Sequence, residues 1–396
     1  MKRQPAWRSL AAIALIALLS GCGGGSDNST TTPAPPTTSL AANQLDIRVD
    51  AGTDGRSVNS PYVTVTVCQP GTASCQTIDH VLLDTGSFGL RLAASAVTGV
   101  TLPQVAAPNG SPLAECAGFV SGFSWGSVRR ADVQLSGEQA ASIPVQLVDD
   151  PALPNVPAAC SNTGTSIGVG AGAKGILGVG LETQDCGAAC LNSTAPALYY
   201  ACPSTPAGTP CAASTAPLAS QVTNPVALFA ADNNGVTIAL PQVPLGGLPV
   251  VTGILTFGIG TQADNQLGAA TVYTADSQGN ITTVYKGRSL RGFVDSGSNG
   301  IFFRDTTLPC TPGFYCPPTP LTLDATFTGT NGATADIPFQ VEDPAKLPGN
   351  SVVGHLAGGL GAGLFDWGLP FFFGRTVFSA IRGATTPAGP GPYWAF

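Results

Sequence analysis

The chain has 396 residues, a formal net charge of −7 and only 10% charged side chains. That balance excludes nucleic acid as a partner, because phosphate binding needs a basic surface. The 50 Gly and 34 Pro, with few Glu, Lys and Arg, exclude a largely helical protein, since exposed helix faces are rich in those charged residues. Short β-branched runs between Gly, Pro and Asn turns instead predict an all-β fold.

Residues 1–22 have the pattern of a secretory signal peptide. Three basic residues precede an apolar run from Leu10 to Leu19, which is too short for a good membrane-spanning helix. The run ends in Leu-Ser-Gly-Cys at Cys22, which resembles a bacterial lipoprotein processing box, in which the Cys is lipidated. Gly23 stands where an inner-membrane retention signal often places Asp, so we expect an outer-membrane anchor. A plain secretory signal with an incidental Cys is the alternative.

The next segment, residues 23–43, contains Gly, Ser, Thr, Pro and Ala with almost no large apolar side chain. Such a composition predicts a flexible tether. The remaining span is long enough that a single core normally divides into two. A stretch rich in Pro and Gly at 241–249 is the predicted junction, which gives an N-terminal lobe at 44–248 and a C-terminal lobe at 249–396.

Ten cysteines remain after Cys22, an even number in a chain expected to be exported. An oxidising compartment allows up to five disulfides. Four pairs are close in sequence and have the spacing of loop clips, and the two remaining cysteines form a longer pair; in that order they are Cys68–Cys75, Cys186–Cys190, Cys202–Cys211, Cys310–Cys316 and Cys116–Cys160. The sequence alone leaves the connectivity open. A zinc site is disfavoured by the lack of C-x-x-C and by only two histidines, and no cofactor is indicated.

Two nine-residue segments follow the same pattern in the two halves of the chain. Residues 82–90 read LLDTGSFGL and residues 293–301 read FVDSGSNGI. Each is followed by a second shared segment, IPVQLVDDP at 143–151 and IPFQVEDP at 337–344. A lone Asp-Thr-Gly-Ser would be an ordinary turn, but two copies in matching contexts indicate an internal duplication with one carboxylate in each half.

On these residues the chain resembles the pepsin-like, two-lobed aspartic peptidases, and more closely a set of uncharacterised bacterial lipoproteins distantly related to them. The resemblance extends to residues 175–180, which match a strand supporting the aspartate loop, and to 253–258, which match the strand opening the second lobe. It implies an all-β, bilobal, pepsin-like double β-barrel with a cleft between the lobes. The catalytic carboxylates would be Asp84 and Asp295, and their supporting residues Thr85, Gly86, Ser87, Ser296, Gly297 and Ser298.

In that family a hairpin carries a tyrosine over the substrate. The matching stretch here spans residues 116–135, but no tyrosine occurs between Tyr62 and Tyr199. Without this tyrosine the substrate would have to be held by other residues, and activity itself does not follow from the resemblance alone. The covering role then falls to one of three aromatic residues: Phe119, Phe123 or Trp125.

Two further motifs and one further acidic residue are not assigned to a site. Residues 122–126 fit G-x-S-x-G, the nucleophile turn of α/β-hydrolases, with His355 available for a triad, but the residues after Ser124 alternate like a strand and not like the required helix. Residues 170–175 fit G-x-G-x-x-G without the following helix of a dinucleotide site. Asp366 is expected to be a structural acceptor, with Arg375 as a possible partner, and is not assigned to the site.

The sequence therefore favours an endopeptidase in which two carboxylates share one proton and activate water. We expect a monomer whose partners are a peptide or protein substrate in the interlobe cleft and a membrane reached through a lipid anchor. The rival interpretation is a lipoprotein that binds peptides with the same fold and has lost turnover. A serine hydrolase is the weakest of the three alternatives.

Overall fold

The computed structural model describes residues 40–396 except residue 171 and residues 204–208, 310–312 and 348–351. The predicted signal peptide, Cys22 and most of the predicted tether lie outside these ranges. Residues from Leu40 to Phe396 form one compact unit. In the described ranges the only α-helices are α1 (Ala158–Ser161) and α2 (Ala188–Leu191), with short 3-10 turns at Ala94–Ala96, Leu218–Ser220, Pro225–Leu228, Pro344–Lys346 and Leu369–Phe371. None of the helices described is long and apolar enough to cross a membrane.

Strands make up nearly all of the regular structure, as the composition predicted. In the first half of the chain they are β1 Gln44–Asp50, β2 Ser60–Cys68, β3 Cys75–Asp84, β4 Phe88–Ala93, β5 Leu113–Phe119, β6 Gly122–Leu135, β7 Glu138–Val148, β8 Gly175–Val179, β9 Tyr199–Ala201, β10 Ala212–Ala213 and β11 Gly235–Leu240. In the second half they are β12 Val251–Phe257, β13 Val272–Thr274, β14 Ile281–Tyr285, β15 Arg288–Val294, β16 Ile301–Phe303, β17 Leu321–Thr328, β18 Thr334–Val341, β19 Ala357–Gly359, β20 Leu364–Trp367, β21 Arg375–Ala380, β22 Thr385–Thr386, β23 Gly389–Pro390 and β24 Tyr393–Ala395.

The larger of two main sheets has fifteen strands in the order β10-β9-β5-β6-β7-β4-β8-β3-β2-β1-β12-β11-β21-β24-β13. An additional pairing of β6 with β2 closes six of these strands into a barrel. The predicted junction at 241–249 lies in the connection between β11 and β12. Since these two strands pair with each other and β1 pairs with β12, strands of both predicted lobes share this sheet.

The smaller main sheet has seven strands in the order β18-β17-β14-β15-β20-β16-β19. Its hairpin β17–β18 turns at Asn331-Gly332, where Gly332 has a positive φ of 83°. Gly is favoured at that position because it has no Cβ to oppose a positive φ. Aromatic side chains fill the interior, with Phe303 stacked on Phe365 and Trp367 in contact with Phe365 and Phe371.

The internal duplication predicted from the sequence is visible as two matching pairs of parallel strands. In the larger sheet β3 runs parallel to β8, with Asp84 opposite Gly178. In the smaller sheet β15 runs parallel to β20, with Val294 opposite Trp367. Each pair therefore delivers one Asp-x-Gly-Ser loop at the carboxyl end of its first strand.

Four of the predicted disulfides are present: Cys68–Cys75, Cys116–Cys160, Cys186–Cys190 and Cys202–Cys211. The Cys116–Cys160 bond ties β5 to α1 across the longest of these loops. Cys310 lies outside the described residues, so its predicted bond to Cys316 stays a prediction.

Candidate active site

The first carboxylate, Asp84, is the last residue of β3 and is 6% exposed. The chain turns back immediately, so that the Gly86 N–H donates to Asp84 Oδ1 at 2.7 Å. The Ser87 hydroxyl donates to the other carboxylate oxygen, Oδ2. Gly and Ser at these two positions thus hold the carboxylate in one orientation.

The second carboxylate, Asp295, follows β15 in a loop with the same contacts. The Gly297 N–H donates to Asp295 Oδ1 at 2.8 Å, and the Ser298 hydroxyl donates to Oδ2 at 2.8 Å. The Asp295 N–H also donates to the Trp367 carbonyl at 3.1 Å, which extends the parallel pairing of β15 with β20.

Between the two loops, Thr85 and Ser296 exchange reciprocal hydrogen bonds. The Ser296 N–H donates to Thr85 Oγ1 at 2.9 Å, and the Thr85 N–H donates to Ser296 Oγ at 3.1 Å. Each hydroxyl then donates to a carbonyl of the opposite strand, Thr85 to Val294 at 3.0 Å and Ser296 to Leu83 at 2.7 Å. Both side chains are buried, so these four bonds fix the two loops against each other away from water.

The two carboxyl groups meet over the glycines of the opposite loops. A Cβ at Gly86 would lie 2.6 Å from Asp295 Cγ, and a Cβ at Gly297 would lie 2.8 Å from Asp84 Oδ1. Neither site has room for a side chain, which explains glycine at both. Burial raises the pKa of Asp295 well above its usual range, helped by the charge of Asp84 and a hydrogen bond shared with it, whereas the bonds from Ser298 and Gly297 act in the opposite direction.

A buried ion cluster supports the Asp84 loop from behind. Arg91 on β4 donates to the Phe88 carbonyl at 2.7 Å, to Glu115 at 2.6 Å and to Asp185 at 3.0 Å. The Tyr199 hydroxyl donates to Asp185 at 2.7 Å. Burial and the Glu115 carboxylate raise the pKa of Asp185 well above its usual range, although Arg91 and Tyr199 oppose this.

Both aspartates line a cleft with a cavity of about 830 Å³. Its walls come from both main sheets and from the turn between β5 and β6. A second cavity, of about 620 Å³, lies near His355 and Arg375 and contains neither carboxylate of the pair. The larger cavity is therefore the candidate active site.

The sequence pattern of one protein family matches residues 39–396. The chain belongs to that family, Protein of unknown function (DUF3443). No curated protein matches the sequence of the DUF3443 chain.

Among solved structures, the aspartic proteinase from Irpex lacteus is similar to this chain with a TM-score of 0.51 and 16% sequence identity. The alignment covers 90% of the DUF3443 chain and 97% of the proteinase. At that identity the likeness establishes the fold and nothing more. The DUF3443 chain is therefore an all-β protein with a bilobal, pepsin-like double-barrel architecture, as the resemblance implied.

The predicted covering residues occupy two different environments. Phe119 lies at the end of β5 and lines the cleft together with Val120 and Ser121 of the following turn. Phe123 and Trp125 are 3% exposed and pack in a separate cluster around the Cys116–Cys160 disulfide, because alternation along β6 turns both away from the cleft. Of the three, the structure brings Phe119 to the carboxyl pair.

The G-x-S-x-G motif does not form a nucleophile turn in the DUF3443 chain. Ser124 is fully buried near the start of β6 and donates to the Gly168 carbonyl. His355 contacts Glu342 and lines the second cavity instead. The chain continues as a strand on both sides of Ser124, which removes the structural basis for a serine hydrolase.

Asp366, which was not predicted to belong to the site, lies in the cleft. It is on β20, 3% exposed, and lines the same cavity as Asp84 and Asp295. Arg375, the suggested partner, donates instead to the Phe371 carbonyl at 2.6 Å and lies over that ring. Asp366 lies two residues before Gly368, just as Ile176 lies two residues before Gly178. This match was the sequence signal that could have indicated a place for Asp366 in the cleft.

Proposed function

We propose that this protein is an aspartic endopeptidase that hydrolyses peptide bonds of an extended substrate bound in the cleft. The proposal rests on one observation above all: the carboxyl groups of Asp84 and Asp295 converge over the same glycine, since a Cβ at Gly297 would lie 2.8 Å from Asp84 Oδ1 and 3.1 Å from Asp295 Oδ1. Each carboxylate also receives the same N–H and hydroxyl donors. A symmetric pair of this kind suits chemistry in which one group holds a proton and the other does not.

In the proposed mechanism the pair shares a single proton. Burial and the neighbouring charge favour one proton on the pair, and the protonated carboxyl donates it to the substrate carbonyl. The ionised carboxylate accepts a proton from a bound water, whose oxygen attacks the carbonyl carbon. That proton then passes to the peptide nitrogen as the C–N bond breaks, and the other carboxylate takes back a proton from the hydroxyl formed on the former carbonyl. No covalent intermediate forms, and activity falls as rising pH removes the shared proton.

The test is cleavage of a diverse mixture of unfolded peptides by the purified full chain from pH 3 to pH 7. Asp84→Asn and Asp295→Asn are measured beside it, with Asp324→Asn, an exposed carboxyl on β17, as the matched control. We expect acid-favoured cleavage that either active-site change abolishes and the control preserves. Cleavage that survives both active-site changes would refute the carboxyl pair.

A second candidate function is a peptide-binding protein without turnover. It is favoured by the hairpin turn over the cleft, which carries Phe119, Val120 and Ser121 and no tyrosine. Two results together would support this binding function. A wild type with intact fold and disulfides would cleave no peptide at any pH, and its cleft would still bind peptide.

The proposal extends to location and assembly. Cys22 would carry lipid and tether a monomeric catalytic unit to the bacterial outer membrane, with residues 23–43 as the spacer. Cells fed labelled palmitate should then incorporate it into the wild type and not into Cys22→Ala. Label in both proteins, or recovery of the wild type in the soluble envelope fraction, would contradict the anchor.

A further inference from the structure

The duplication places residues of opposite polarity at equivalent positions of the cleft. Ile176 on β8 is opposite Leu82, two residues before Asp84. Asp366 on β20 is opposite Phe293, two residues before Asp295. Both line the cavity and both are 3% exposed. One half of the cleft thus presents an alkyl group where the other presents a carboxyl group.

One oxygen of the Asp366 carboxyl lacks a partner that would offset its burial. This oxygen, Oδ1, is buried and forms no hydrogen bond within the described structure. An unpaired buried polar oxygen is destabilising, and an ionised one much more so. Burial accordingly raises the pKa of Asp366 well above its usual range, as do the charges of Asp295 and Asp84, with the Ser298 hydroxyl opposing them. The free chain therefore carries an unfavourable group that a bound ligand can stabilise.

The charge of the cleft selects the kind of ligand. Its described lining residues include three carboxyl groups, at positions 84, 295 and 366, and no Lys, Arg or His. A cationic ligand group beside a carboxyl favours its ionised form and is attracted to it, so this lining suits a positively charged ligand group. Next to Asp366, the rings of Phe293 and Phe302 line the same cavity. A long side chain with an alkyl stem and a cationic end would meet apolar surface along its length and a carboxylate at its tip.

We propose that Asp366 is a specificity residue that binds the Lys or Arg side chain of a peptide in the half of the cleft formed by the smaller sheet. This inference rests on the proposed function in one respect, that an extended peptide occupies the cleft. The opposite half, with Ile176 at the equivalent position, accepts an apolar side chain. The substrate is then a chain with a basic and an apolar residue on opposite sides of the cleaved bond.

The experiment compares wild type, Asp366→Ile and Asp366→Asn on a positional peptide library. Asp366→Ile copies the residue of the other half, and Asp366→Asn keeps the shape and removes the charge. We expect a preference for Lys or Arg at one position of at least about tenfold in kcat/KM, lost in both variants and replaced by an apolar preference in Asp366→Ile. Cleavage with the same preferences in all three proteins would overturn the inference and leave the proposed function standing.

A binding measurement keeps the inference testable if no cleavage occurs. Fluorescent peptides that differ only in Lys against norleucine are titrated into wild type and Asp366→Ile, with Asp324→Asn as a control for the change in net charge. We expect wild type and the control to bind the Lys peptide at least about tenfold more tightly than the norleucine peptide. Asp366→Ile should bind the two peptides with equal affinity. Equal affinities for the two peptides in wild type would refute the subsite.

Discussion

At the scale of single residues, the alignment of the two carboxyl groups depends on a pair of hydroxyls. Thr85 and Ser296 accept N–H donors across the interface and donate to carbonyls beyond it, and both are buried. Their oxygen atoms therefore serve both loops at once. Removing one of these oxygens leaves an N–H donor and a carbonyl acceptor of the opposite loop and its strand unsatisfied.

We expect Thr85→Val to lower the free energy of unfolding by about 1 to 3 kcal/mol, because the Ser296 N–H and the Val294 carbonyl lose a buried partner. Thr85→Ser restores the oxygen and serves as the control. Urea unfolding measures both. If Val and Ser at this position gave equal stability, the hydroxyl would have no role in joining the loops.

At the scale of secondary-structure elements, the hairpin over the cleft is held by the Cys116–Cys160 disulfide, which spans 44 residues. The Cys186–Cys190 bond spans only 4. A cross-link restricts the unfolded chain more when it closes a longer loop, so replacing the first pair with alanine should cost about 4 kcal/mol and the second about 2 kcal/mol. Chemical denaturation of the two double variants tests the order. A larger loss for the short loop would contradict this account.

The buried ion cluster gives a second prediction about elements, since it joins β4, β5 and β9 behind the Asp84 loop. Arg91→Met would leave Glu115 and Asp185 buried without a cation and should cost about 3 to 5 kcal/mol. Arg48→Met breaks an exposed pair with Asp50 and should cost no more than about 1 kcal/mol. Equal losses in urea unfolding would mean that burial does not decide the strength of these pairs.

The same elements show how far the sequence alone could predict the structure. The two Asp-x-Gly-Ser loops were predicted from their repetition, and three of the observed disulfides from close spacing, whereas Cys116–Cys160 was predicted as the pair that remained. The direction of Phe123 and Trp125 was not, since it depends on which face of β6 packs against Cys160 and Tyr200. The place of Asp366 in the cleft was not predicted either. It depends on the register of β20 against β15, and register is a long-range property that local patterns do not determine.

At the scale of the whole molecule, three buried carboxyl groups give stability a pH dependence of definite sign. Burial and neighbouring carboxylates raise the pKa of Asp185, Asp295 and Asp366 in the folded chain. An unfolded Asp has a pKa of about 3.9. Above about pH 4 the unfolded chain therefore releases protons that the folded chain keeps, so stability falls as pH rises towards the folded pKa values. Below about pH 4 both states are protonated and this loss disappears.

Asp295→Asn should remove one such group, because the amide stays neutral at every pH. We expect the variant to gain stability over wild type as pH rises from 4 to 8, by about 1.4 kcal/mol per pH unit while the wild-type Asp295 keeps its proton. The opposing groups, such as Asp305, whose pKa is lowered by Lys286 and Thr307 against the effect of burial, are unchanged in the variant and cancel from the difference. Urea unfolding of both proteins at each pH measures it, with Asp324→Asn as the exposed control. Parallel curves for Asp295→Asn and wild type would mean that the two carboxyl groups do not share a proton, and the proposed mechanism would lose its physical basis.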